Sequence, residues 1–327
     1  RDTQYSNVNY RNAHGKYLSE KSPFRQSLAG VVGTTSNESL LMDRSGNDEL
    51  EELNENPEIF KRELAALRMM VKNDPNFSIP DNDQFLLRFL SARKFDSKKA
   101  FHMLQRYFLM KIKCPELFGC PLPSECGNMF ELQAQNMLQE RDQLGRRVYI
   151  IRVDNFDSSK VTIDDVFRTN VLALEQIVRE AETQIAGIVV ILDMAGLSLQ
   201  HAKFFTPYYA KRMVELVQET FPLRFKGFPH SKRALLLRRG GSCTEAISKR
   251  RKLESGRKLR VEDLKNIILH GSDLSSLHAF ITNDILPTEY RGNAGKFDNR
   301  SWYMQLLADE NYFTQMQKYG YNIERTT

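Results

Sequence analysis

The sequence predicts an α/β protein in which a small all-helical unit is followed by a layered α/β domain. Three observations predict it. Apolar residues recur at helical spacing between residues 56 and 108. Residues 146–154 ("RRVYIIRVD") and 187–194 ("GIVVILDM") are short, β-branched and almost wholly apolar, as strands covered on both faces are. One helical pattern lies between these strands and another follows the second, which is the alternation that builds a helix-covered sheet.

Residues 1–47 are rich in Ser, Asn, Thr and Gly without periodicity, a composition that buries too little surface to offset its ordering entropy, so a disordered segment is expected. The helical unit is expected over 48–118. In "NPEIFKRELAALRMMVKN", Asn56 suits the cap, Pro57 the first helical position and Glu58 the dipole, while Phe60, Leu64, Leu67 and Val71 share a face. A second helix carries Phe85, Leu86, Phe89 and Leu90; a third, with Ser97 as its cap, carries Phe101, Leu104 and Phe108. A Pro/Gly/Cys loop at 119–127 leads to the α/β domain, expected over 128–307. Its first helix turns Val166, Phe167, Leu174, Ile177 and Val178 inward. The next starts at Thr206-Pro207, carries Tyr209, Met213, Leu216 and Val217, and leads into "FPLRFKGF" (221–228). There Leu223 and Phe225 alternate with Arg224 and Lys226, which predicts a third strand. Residues 308–327 are expected to form a C-terminal tail.

With 41% apolar and 10% aromatic residues among 327, the chain has the material for one large core or two smaller ones. No apolar run approaches the roughly 18–20 residues of a membrane helix. Cys114, Cys120, Cys126 and Cys243 match no zinc spacing and are too sparse for a disulfide framework, which points to reduced thiols and a cytoplasmic setting. The chain begins with Arg1, so the lack of a targeting signal there carries no information. Its net charge of +6 is local: residues 231–260 hold eleven Lys/Arg against two Asp/Glu, so the remainder sums to about −3. The apolar residues of that segment are bunched in "ALLL" and then scattered among cations, and Gly240, Gly241 and Gly256 interrupt any helix, which predicts a mobile basic insertion.

Enzyme signatures are absent. There is no phosphate loop, nucleophile elbow, paired-histidine zinc motif or dinucleotide fingerprint, and no histidine has a neighbour suited to a relay. Asp193 ends a buried strand, where α/β proteins often bind ligands, but capping of backbone donors explains it better. No catalytic residue, metal site or cofactor is therefore assigned. What remains is an abundance of apolar side chains on the α/β elements with a few cations among them, the pattern of a binder of apolar ligands.

"DQFLLRFLSARKFDSKKAFHMLQRYF" (83–108) resembles the helical N-terminal part of the CRAL-TRIO lipid-binding family, and "GIVVILDMAGLSLQHAKFFTP" through "ETFPLRFKGF" (187–228) resembles the core of its pocket domain. "ILHGSDLSSLHAFITNDILPTEYRG" (268–292) is similar to the family's closing segment, with its "ILP-x-E-[YF]-G-G" turn. The resemblance implies a three-layer α/β domain that encloses one hydrophobic ligand and exchanges it at membranes without catalysis. By position it implies a pocket lined by Phe167, Asn170, Val171, Leu174, Ile188, Leu192, Met213, Leu216, Leu223, Phe225 and Phe228, and phosphoinositide contact through Arg93, Arg224 and Lys226. Apart from Asn170, each lining residue is also what an ordinary core contains, and ion pairs with surface acids are the ordinary role of the three cations. A monomer is expected, in the cytoplasm and reversibly associated with endosomal or other anionic membranes.

The departure from the family lies after "KGFPH", where an "INxP" turn and an amphipathic gate helix give way to "SKRALLLRRGGSCTEAISKRRKLESGRK". Two other readings follow from it. One is a phosphoinositide-sensing trafficking adaptor that carries little ligand. The other is a nuclear or nucleic-acid-binding protein using "SKRRK", though the segment offers no aromatic residue to stack on a base and no nucleic-acid partner is expected.

Overall fold

The computed structural model describes residues 57–118, 122–157, 159–196, 208–209, 212, 215–223, 232–237, 267–270 and 274–322. The expected disordered segment 1–47 and the expected caps Asn56 and Thr206 lie outside them.

The helical unit forms as its periodicity predicts. Helix α1 (Pro57–Lys72) buries Leu67 and packs Phe60, Leu64 and Val71 along the same face. After the two-residue strand β1 (Phe77–Ser78) comes α2 (Asp83–Ala92), capped by Asn82, whose side-chain oxygen accepts from the Phe85 N–H at 2.8 Å. Helix α3 (Ser97–Lys113) is capped by Asp96 and not by Ser97, which is the first helical residue. The Asp96 carboxylate accepts from the Lys99 N–H at 3.0 Å and brings a negative charge to the positive end of the helix, which a hydroxyl does not. Short helices α4 (Pro115–Phe118) and α5 (Gly127–Glu131) lead to the sheet.

That sheet has five strands in chain order: β2 (Gln135–Met137), β3 (Arg147–Arg152), β4 (Ile188–Asp193), β5 (Lys232–Leu237) and β6 (Ile267–His270). Strand β2 runs antiparallel to β3 and the other three pairings are parallel. Helices α6 (Ile163–Ile177) and α7 (Ala181–Ala186) return the chain between β3 and β4, as parallel pairing requires.

Two expectations are corrected. The third parallel strand is Lys232–Leu237, within the supposed insertion; of the expected strand 221–228 only Phe221–Leu223 is described, and it is not a strand. Strand β4 takes its neighbour from this later stretch, with Ile188 opposite Lys232 and Leu192 opposite Leu236. Phe221–Leu223 instead closes the π-helical turn Glu215–Thr220, with the Phe221 N–H donating to Leu216 O at 3.1 Å and the Phe221 ring 5.7 Å from Tyr107. The basic segment thus opens with an inner strand, and residues 238–260 lie outside the described residues. Residues 308–322 of the supposed tail are also structured. After α8 (Ser275–His278) and α9 (Arg300–Ala308), α10 (Glu310–Met316) buries Phe313 and Met316, and β7 (Gly320–Tyr321) pairs with β1. Tyr321 stacks on Phe77 at 4.4 Å, so apolar contacts more than two hundred residues apart fold the end of the chain onto the helical unit.

The two expected units share one core, since residues of α1–α3, α6, α9 and α10 belong to a single buried cluster with Tyr149 and Ile188 of the sheet. The opposite face of the sheet, Val148, Ile150, Val189 and Ile191, packs on Leu274, Leu277, Ile281, Leu286, Tyr290 and Phe297. The resulting order is helices, sheet, C-terminal segment. Three layers are therefore present. In the turn of that last segment a Cβ on Gly292 would lie 1.9 Å from Leu286 O, so no other residue fits there.

Candidate functional site

Helix α6 positions most of the side chains that the sequence singled out. Its start is a reciprocal cap: Thr162 Oγ1 accepts from the Asp165 N–H at 3.2 Å and Asp165 Oδ2 accepts from the Thr162 N–H at 2.8 Å. Phe167, Val171 and Leu174 are buried in the cluster that also holds Ile188 on β4, Leu216 on the π-helical turn, and Leu223. Six of the proposed lining residues are thereby brought together, as they would be in an ordinary core as well. Leu192 is partly exposed at the end of β4. Met213, Phe225 and Phe228 lie outside the described residues.

On β4 the two faces differ. Val189 and Ile191, facing the C-terminal segment, are no more than 1% exposed. Val190, on the α6 side, is only partly buried, as is Ile151 on the same face of β3, opposite Leu192, and Ile188 and Leu174 retain 8% and 9% exposure. Val190, Ile151 and Tyr209 were not among the expected lining residues, although Tyr209 was placed on a helix face with Met213 and Leu216. Their signal is the parity of the strand and the ring of Tyr209, 5.5 Å from Phe167.

Asn170 is buried and polar. Its Oδ1 accepts from Tyr149 Oη at 3.1 Å and from Gln135 Nε2 at 3.5 Å. Burial pushes the Tyr149 phenol up, so it is a neutral donor at any physiological pH. Tyr209 donates to Asp164 Oδ1 at 3.0 Å, and burial together with that carboxylate pushes its phenol up to about 12. Behind α6, Glu175 is buried. It accepts from Tyr107 Oη, lies 3.7 Å from Lys111 Nζ, and accepts from Tyr312 Oη at 3.5 Å, tying α6 to α3 and α10. The Asp193 carboxylate accepts from the Ala195 N–H at 3.1 Å, a capping role at the strand end. Arg93 ends α2, where its own N–H donates to Phe89 O and Leu90 O, both at 3.1 Å; Arg224 and Lys226 lie outside the described residues. Cys114 and Cys126 are buried free thiols, and burial pushes Cys126 up to about 12. Among the described residues no helix is long and apolar enough to cross a membrane.

The protein is thus of the α/β class, with a sheet sealed on one side and partly uncovered apolar side chains under a helix on the other. The chain matches the CRAL/TRIO domain over residues 134–228 and the CRAL/TRIO N-terminal domain over 48–106. It is 37% identical over 266 residues to the alpha-tocopherol transfer protein-like protein of Homo sapiens, covering 81% of this chain and 75% of that one. Clavesin-1 of Xenopus laevis is 30% identical over 83% of this chain and 80% of its own, and Clavesin-2 of Rattus norvegicus 30% over 79% and 77%. The chain belongs to the CRAL-TRIO lipid-binding family.

Proposed function

We propose that this protein encloses a hydrophobic lipid between α6 and the sheet and transfers it between membranes, with phosphoinositide headgroups met by Arg93, Arg224 and Lys226. The observation that carries the reading is the incomplete burial of Val190, Ile151 and Leu192 on the α6 side, while the other side of the same strands is sealed. The name of the transfer protein-like relative supports transfer as the activity. Energetics require no catalytic group. A lipid tail gains about 0.8 kcal/mol per CH₂ on leaving water, and a bilayer offers the same, so a carrier needs only to match the membrane.

Val190→Trp is the test. The ring would fill ligand volume at a position that is not tightly packed, so lipid transfer between vesicles should fall severalfold while thermal melting stays near wild type. Undiminished transfer would exclude the α6 side as the binding site. For the headgroup, Arg224→Ala with Lys226→Ala should weaken binding to phosphoinositide vesicles more than to phosphatidylserine vesicles of equal charge, because placed donors read geometry and a diffuse field does not. Equal losses on both would remove the specific contact.

A further inference from the structure

Resting on that pocket reading, the geometry points to a ligand that carries a neutral hydrogen-bond donor, a hydroxyl, received by the Oε1 of Gln135. Gln135 is 2% exposed and lies on β2 opposite Ile151, so it shares the α6 side of the sheet with Ile151 and Tyr149. Its strand is fixed from outside, since Asn299 Nδ2 donates to the Gln135 carbonyl at 3.0 Å. Its side-chain amide donates to Asn170 Oδ1, which also accepts from Tyr149 Oη. An amide oxygen has two lone pairs, so Asn170 Oδ1 is filled. Gln135 Oε1 is buried without a partner. A buried acceptor left unmade is costly, and native proteins generally supply its donor.

Asn170 stands on α6 with Phe167, Val171 and Leu174, the side chains that on the pocket reading surround a lipid, and the Gln135 amide bonds to it. Among the described residues, none of the three polar side chains bonds to a charged group, which leaves an ionised headgroup uncompensated there. An ether, ester or ketone oxygen would meet Oε1 as a second acceptor and gain nothing. A hydroxyl donates to it.

The test uses octadecan-1-ol and its methyl ether, each offered in phosphatidylcholine vesicles to the full chain and to Gln135→Met. The amount taken up is read by mass spectrometry, and the bilayer reference cancels in the ratio of the two proteins. The alcohol-to-ether uptake ratio should fall on the order of tenfold in the variant, with ether uptake retained. Melting of the variant should stay close to wild type, since removing the partnerless Oε1 favours folding while losing the long Nε2 bond to Asn170 Oδ1 opposes it; Gln135→Leu carries the same comparison if the Met variant does not fold. Equal ratios in wild type and variant would overturn the inference and leave a water as the partner of Oε1. Uptake of neither compound would instead contradict the pocket reading on which it rests.

Discussion

The two faces of strands β3 and β4 are made of similar residues and treated differently. Toward the C-terminal segment, Val148, Ile150, Val189 and Ile191 are closed over by Leu274, Leu277, Ile281, Leu286, Tyr290 and Phe297. Toward α6, Ile151 and Val190 are left partly open and the buried set includes the polar trio Gln135, Tyr149 and Asn170. Composition does not distinguish the faces, because both are apolar. Closure does. One face is a core, where every uncovered methyl group would be a loss; on the proposed reading the other is a surface whose cover a ligand supplies in part.

If α6 is kept from collapsing onto the sheet by its other side, Glu175 is the tie. Removing it takes away the acceptor shared by Lys111, Tyr107 and Tyr312, so Glu175→Ala should cost about 3–5 kcal/mol in chemical denaturation. A loss below about 1 kcal/mol would mean that α6 is held by apolar contacts alone. The faces themselves are separated by a matched pair of truncations on one strand. Ile191→Ala, on the sealed face, should cost about 2–5 kcal/mol, and Val190→Ala, on the open face, about 1 kcal/mol or less. Equal costs would make both faces ordinary core.

The start of strand β3 carries a pH dependence. Burial raises the Glu180 carboxyl, but bonds of 2.8 Å from Arg147 Nε and Nη2, with Thr183 and Arg141, outweigh it and hold the group below its ordinary value. A depressed carboxylate contributes fully above its unfolded value of about 4.3 and is lost as pH falls through the lower folded value. Denaturation midpoints should accordingly decline between about pH 4 and lower values, less so in Glu180→Gln; an unchanged acid limb in that variant would place the dependence elsewhere. The smallest effect is at the turn closing the sealed face, where Arg291 adopts φ 56° in the position that the family motif gives to glycine. Arg291→Gly should stabilise by about 0.5–1 kcal/mol, the relief of left-handed strain less the entropy gained by the unfolded chain. Destabilisation would show that the arginine side chain repays the strain.

Helix α1, strands β3 and β4 and helix α6 were legible because each carries its own period, as in Phe60-Leu64-Leu67-Val71 or the unbroken "VVIL". The third strand was not. "FPLRFKGF" alternates as a strand does, whereas "KRALLL" is built of good helix formers, and its strand conformation comes from pairing with β4, a contact more than forty residues distant that local propensity does not encode. The C-terminal residues looked like a tail because Phe313, Met316 and Tyr321 are spread among polar residues, and their partners, Phe77 foremost, lie in the first third of the chain. Of the candidate site, the α6 residues were readable from helical spacing and from the resemblance together. Gln135 was not, since it sits in a three-residue strand with no apolar pattern, and only the fold brings its amide to Asn170.

Native mass spectrometry of the purified full chain, before and after extraction with organic solvent, tests the claim that the α6 side of the sheet is covered by a lipid most directly. The account predicts one bound lipid per chain, removed by extraction and largely missing from Val190→Trp. A wild-type mass equal to that of the bare polypeptide, in protein never exposed to solvent or detergent and still unloaded after incubation with lipid vesicles, would contradict it.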